Sequence, residues 1–73
     1  MSGTMFKCDN IGNRLSDNIE AERVHVHPVI IRANNIQALN LKKGDYIFYS
    51  SDAFLINKIY EVATIFPNGL EAK

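Results

Sequence analysis

The sequence predicts a β-rich α+β domain, a small antiparallel sheet or partly open barrel with one or two short helices. Three observations carry that expectation. β-branched and aromatic residues gather in short runs, bounded by Asn, Asp, Gly and Pro. Eight Asn residues in a 73-residue chain favour turns, caps and left-handed backbone, hence short elements with tight connections. Helical signals are confined to two brief stretches. Residues 1–73 are expected to form one domain, because a second would lack the apolar surface for its own core.

Thr4 to Cys8 reads as a short strand, with Met5 and Phe6 as its apolar surface. Asp9 to Asn13 follows as a turn through Gly12 and the Asx side chains. Ser16, Asp17 and Asn18 offer caps and Glu20 lies three residues past Asp17, so a helical turn over Asn18 to Arg23 is expected. Arg23 to Arg32 is the first strong strand, placing Val24, Val26 and Ile30 on one face and His25 and His27 on the other. Pro28 cannot donate to a ladder, so this strand should lie at a sheet edge, bulge or break there.

Ala33 to Leu41 reads as a short helix, capped by Asn34 or Asn35 and buried through Ile36, Leu39 and Leu41. Lys42, Lys43 and Gly44 then supply cations at a helix end and a stop. Asp45 to Tyr49 is a strand and Ser50 to Asp52 a turn. Phe54 to Phe66 is a long strand apolar on both faces, which implies burial on both sides or a bulge near Asn57 and Lys58. Phe66-Pro67-Asn68-Gly69-Leu70 is the clearest hairpin signal, with Gly69 expected in the left-handed position and a last short strand after it.

Composition excludes several function classes. One cysteine, Cys8, cannot form a disulfide scaffold or a four-cysteine zinc site within the chain. No apolar run approaches the roughly 20 residues of a membrane helix, and no signal-peptide core is present. A soluble, cytoplasmic protein without membrane attachment is expected. Eight Lys and Arg balance eight Asp and Glu, unlike a general nucleic-acid coat, which neutralises phosphates with excess cations.

Catalytic constellations are weak. His25-x-His27 could present two imidazoles to one metal ion, but zinc needs three or four ligands and only Cys8 or Asp9 suggest themselves. Two solvent-facing histidines are the plainer reading, and we expect neither metal nor cofactor. Cys8 lacks an identifiable base and reads as a small buried hydrophobe. Ser50-Ser51-Asp52 has no nucleophile elbow, and the scattered glycines make no phosphate loop. The chain is therefore expected not to be an enzyme. Arg14, Arg23, Arg32, Lys42 and Lys43 precede most of the aromatic residues and could gather on one face toward an acidic partner or phosphate.

Val29-Ile30-Ile31-Arg32, followed by Ile36-Gln37-Ala38-Leu39-Asn40-Leu41-Lys42-Lys43-Gly44-Asp45, resembles the strand, short helix and Leu-x-Leu-x-x-Gly-Asp connection of AbrB- and MazE-type swapped-hairpin proteins. Tyr46 to Tyr49 and Phe54 to Ile59 would be the following hairpin. The similarity spans residues 29–59. Arg32-Ala33 stands where that family usually has a proline before the helix, and the Pro67-Asn68-Gly69 hairpin has no counterpart in it. This resemblance implies a dimeric DNA-binding regulator or antitoxin, using Arg14, Arg23 and Arg32.

In length, Asn content and neutral charge, the whole chain is similar to small bacteriophage regulators that bind bacterial RNA polymerase, of the Xanthomonas phage type. That likeness implies host takeover: polymerase binding in the bacterial cytoplasm, inhibition of host initiation and antitermination, by protein contact without catalysis and as a monomer. We take this as the leading expectation and direct DNA binding as the alternative. The expected partner-binding residues are Met5, Phe6, Lys7, Arg14, Arg23, Val24, His25, Val26, His27 and Arg32. Thr4 to Cys8 and Val24 to Ile31 are the candidate edge strands for pairing with a partner's extended segment.

Overall fold

Alternation of inward and outward side chains closes the chain into a single antiparallel barrel. The structure, a computed structural model, describes residues 3–53 and 55–73. Its strands are β1 (Gly3–Cys8), β2 (Ile19–His25), β3 (Val29–Arg32), β4 (Tyr46–Ser51), β5 (Ile56–Phe66) and β6 (Gly69–Ala72). Around the barrel they run β1-β2-β3-β6-β5-β4, and β4 returns to β1. The interior holds Met5, Ala21, Ile31, Ile47, Tyr49, Tyr60, Val62, Leu70 and Ala72. Every strand supplies at least one of them.

Because all the pairings are antiparallel, successive connections alternate between the two barrel ends. The β1–β2 loop, the β3–β4 connection and the β5–β6 turn share one end. The β2–β3 and β4–β5 hairpins share the other. At the first end the expected helix over Ala33 to Leu41 contracts to one 3-10 turn, Ile36–Leu39, whose two apolar residues are buried. Asn35 makes no side-chain cap bond, and Asn40 stops the turn with φ of 49°. A segment this short cannot offset helix nucleation. Its job is to bury Ile36 and Leu39 against the core.

Several expectations are corrected. The described residues contain almost no helix, and the sheet is closed rather than open. Asn18 to Arg23 does not form a helical turn. Ile19–His25 is a strand because Gly3, Thr4 and Met5 pair with Ala21, Glu20 and Ile19 and carry Ala21 into the core; tertiary pairing overrides the local capping signal. Arg23 to Arg32 is two strands, reversing at Val26–Pro28 through a cis His27–Pro28 bond. Its bulge falls between Arg23 and His25. The long strand begins at Ile56, and Phe54 lies outside the described residues. Its bulge falls between Val62 and Thr64, not near Asn57 and Lys58. There β5 passes from pairing with β4 to pairing with β6.

A second, smaller apolar cluster lies outside the barrel. Phe6, Phe48 and Ile59 are directly opposite one another across β1, β4 and β5. The two phenyl rings stack with centroids 5.3 Å apart. The β1–β2 loop folds onto this row: the Arg14 guanidinium sits 4.1 Å from the Phe6 ring centre, and Gly12, at φ +94°, rests against Ile59. Asp9 holds the loop in shape, its carboxylate accepting from the Ile11 and Asn13 amides at 3.0 and 2.9 Å and from Asn13 Nδ2 at 2.8 Å. Those bonds, chiefly from the Asn13 amide, lower the Asp9 pKa below its ordinary 3.8. A lowered carboxylate pKa stabilises the fold above the unfolded value and ceases to do so as pH falls through the folded one. An NMR titration should therefore show the Ile11 and Asn13 amides moving with a midpoint below 3.8. A midpoint at or above that value would contradict the arrangement.

Candidate functional site

The ten residues expected to meet a partner do not form one surface. Met5 is fully buried on the inward face of β1 and is withdrawn as a contact residue. Phe6 is stacked on Phe48 beneath Arg14. Lys7 lies 3.7 Å from Asp45, and its amide donates to Ser16 Oγ at 2.8 Å. Arg14 also donates to Asn18 Oδ1 at 2.9 Å. These three residues build the loop-covered cluster of the β1–β2 end. Arg32, at the end of β3, forms a 2.7 Å ion pair with Glu22 on β2. Arg23 and Arg32 sit one register position apart on β2 and β3, while Arg14 lies in the β1–β2 loop against Phe6.

Most of both candidate edges is already paired within the barrel, although β2 meets β1 only along Ile19 to Ala21. β2 pairs with β1 and β3, and β3 pairs with β2 and β6. β1 pairs with β4 along Thr4 to Cys8. Its other side is taken by β2 near Gly3 to Met5, and by the loop near Lys7 and Cys8, where Leu15 N–H donates to Lys7 O at 2.8 Å. Barrel closure is the physical reason: it leaves these backbone groups bonded within the chain.

What remains together is Arg23 to His27. Val24 to Pro28 is a run of five exposed residues at the tip of the β2–β3 hairpin, with Val24 and Val26 each 48% exposed. The backbone beneath the tip is fixed. Arg23 N–H donates to the hydroxyl of Tyr49, a wholly buried residue of β4, at 3.0 Å. His25 Nδ1 lies 2.9 Å from Pro28 O, so the ring closes the hairpin as its Nδ1–H donor form. This bond occupies one ring nitrogen of His25 within the hairpin.

Burial raises the Cys8 pKa and the Asp9 carboxylate raises it further, so the thiol stays protonated and weakly nucleophilic. Among the described residues, no three His, Cys, Asp or Glu side chains assemble as a metal-binding group. An open groove of ≈ 420 Å³ runs between Asn18–Glu22 and Arg32–Asn35. Its walls include Asn18, Asn34, Asn35 and Glu20 beside the Glu22–Arg32 pair. Among the described residues, no helix is long and apolar enough to cross a membrane.

One residue escaped the sequence reading. The β4–β5 connection closes through a 3.3 Å bond from Leu55 N–H to Asp52 O, and Leu55 has φ of +53° with 88% of its surface exposed. It lies at the same barrel end as the β2–β3 tip. The available signal was an apolar residue where a hairpin turn usually takes Gly or Asn. Compared with protein-family models, with curated proteins and with solved structures, the chain matches none.

Proposed function

We propose that this chain is a non-catalytic docking module that binds a larger bacterial protein, RNA polymerase, and regulates transcription by contact. Inhibition of host initiation and antitermination are its expected outcomes. The observation that carries the docking reading is the β2–β3 tip: five consecutive exposed residues, including two half-exposed valines, on a hairpin tied to the core through Tyr49. A pre-ordered tip loses little conformational freedom on binding. Its aliphatic side chains can seat in a partner pocket, where buried anchors supply most of the affinity. The choice of polymerase rests on the whole-chain resemblance to small phage regulators.

Binding of the chain to purified bacterial RNA polymerase tests this reading directly. The double variant Val24→Asp/Val26→Asp places two carboxylates on already exposed positions. It should leave the melting temperature nearly unchanged and weaken polymerase binding by roughly 10- to 100-fold. In a promoter-initiated transcription assay, the wild-type chain should reduce initiation and promote readthrough of a terminator, and the variant should do neither. No binding by the wild-type chain would end the polymerase assignment.

A further inference from the structure

We infer that the groove between residues 18–22 and 32–35 takes an extended peptide as an added strand. The peptide pairs with the main chain of Glu20 and sets a cationic side chain opposite its carboxylate. The groove lies at the barrel end opposite the β2–β3 tip, so this site is separate from the docking surface above.

The ladder between β2 and β3 ends at Glu22 and Arg32. Two hydrogen bonds fix which way each main chain faces. Ala33 N–H donates to Asn68 O at 2.9 Å, on the β6 side, so strand alternation turns Arg32 toward β2 and its partner Glu22. Arg23 N–H donates to the Tyr49 hydroxyl, away from β3, which again leaves Glu22 facing β3. Glu20 stands two residues before Glu22 on the same strand, and the β1–β2 register there is unshifted. Its N–H and C=O therefore face the same side as those of Glu22. Asn34 would be the next partner. The chain instead turns at Asn34 and Asn35 into the 3-10 turn Ile36–Leu39. Among the described residues, no backbone bond joins Glu20 to Asn34 or Asn35. The groove of ≈ 420 Å³ opens where that pair would stand.

The main chain selects the occupant. An amide and a carbonyl turned outward from a strand are the pairing groups of a second strand. An extended peptide repeats that pair every second residue, about 6.6–6.8 Å along its length, and seats about 4.8 Å from its neighbour. Sugars and nucleotides carry no such repeat. The two faces of the guest are also specified. The charged residues lining the groove are Glu20, Glu22 and Arg32. Glu22 and Arg32 pair with each other at 2.7 Å, whereas Glu20 is exposed and has no ion pair among the described residues. Beside the groove, Asp17 is exposed, and Arg14 is held over Phe6 and by Asn18 Oδ1. A cation directly opposite Glu20 is favoured and a carboxylate there is disfavoured. The flanking guest residues turn to the barrel side with Ile19 and Ala21, which pack with the core, so they are apolar and β-branched.

An acetylated, amidated hexapeptide of alternating valine and lysine is the probe, and its binding is read by NMR. On its addition the Glu20 and Asn34 amides should shift and exchange more slowly, while those of Val24 and Val26 stay in place. The corresponding valine–glutamate peptide should bind roughly three- to tenfold more weakly. Glu20→Lys should reverse that preference with the melting temperature nearly unchanged, since Glu20 is exposed. Methylating the lysine amide nitrogens removes the donors to Glu20 O and should abolish binding. Undiminished binding of the methylated peptide would overturn strand addition in favour of side-chain contact alone. No response at Glu20 would overturn it outright. Glu20 shifts that grow with protein concentration before any peptide is added would overturn it in favour of a second copy in the groove. Val24→Asp/Val26→Asp should bind the peptide as wild type does, so a failure of polymerase binding sinks the docking reading and leaves this site standing.

Discussion

Gly69→Ala should lower stability by about 2–3 kcal/mol, the upper part of the usual range for overpacking, and Tm by roughly 10–20 °C for a domain of this size. A Cβ at Gly69 would drive into the carbonyl oxygen of Ile31 and press on the Cα of Arg32. Both are backbone atoms of β3, held in register with β6 through Ile31↔Leu70 and Arg32↔Gly69. No rotamer change can relieve such a contact, so the two strands must separate. Leu70, fully buried, and the Ala33 N–H bond to Asn68 O at 2.9 Å would move with them. Gly44→Ala is the informative control. Gly44 has φ of +93° and nothing within 4 Å of an added Cβ, so its variant should lose only the conformational cost of about 1–2 kcal/mol. Thermal melts of the two variants distinguish lack of room from unfavourable dihedral. A smaller loss at Gly69 than at Gly44 would mean that β3 and β6 are not packed this closely.

Gly69 also shows where sequence reading reaches its limit. Pro67-Asn68-Gly69 marks a hairpin, and Phe66↔Gly69 confirms the reversal. The expected reason was different: among the described residues, the glycines with positive φ are Gly12 and Gly44. Gly69 is required because β3 passes close by, and β3 is more than thirty residues away in sequence. Short-range punctuation can reveal the turn but cannot reveal the neighbour.

The same division runs through the rest of the chain. Asp45 to Tyr49 and Val29 to Arg32 were legible as strand because β-branched and aromatic residues concentrate there. Closure of the barrel was not, because it depends on β1 meeting β4 and β3 meeting β6, pairings between residues distant in sequence. Once the ring closes, an edge strand inferred from Pro28 gains a partner on each side. The proline instead sits in the reversal between β2 and β3. At the candidate site, His25 and His27 were legible as solvent-facing, whereas Val24 and Val26, expected on a common strand face with Ile30, are exposed at a hairpin tip instead. Leu55 was not legible, since what sets it apart is a dihedral angle and a barrel end shared with a hairpin three decades of residues upstream. Met5 and Phe6 are adjacent in sequence yet end on opposite sides of one strand, inside and outside the barrel, and only the strand's orientation decides which is which.

Tyr49 links the core to the docking end, and two substitutions there should separate its roles. Tyr49→Ala removes a wholly buried ring and should cost about 3–5 kcal/mol, as other large aromatic truncations do. A small domain has on the order of 5 kcal/mol to lose, so this variant should be largely unfolded near physiological temperature. Tyr49→Phe keeps the ring and deletes only the hydroxyl that accepts from Arg23 N–H at 3.0 Å. The bond is partly buried, so its loss should cost about 1–2 kcal/mol and leave the barrel folded. The damage should concentrate where that amide lies, at the bulge between Arg23 and His25 from which the exposed tip projects. Hydrogen exchange at Arg23, Val24 and His25 should therefore accelerate more than exchange at Ile47 or Val62. A loosened tip must be ordered again on binding, so Tyr49→Phe should also weaken polymerase binding several-fold although Tyr49 itself is inaccessible. Equal acceleration throughout the barrel would show that the hydroxyl supports the fold generally and does not hold the hairpin.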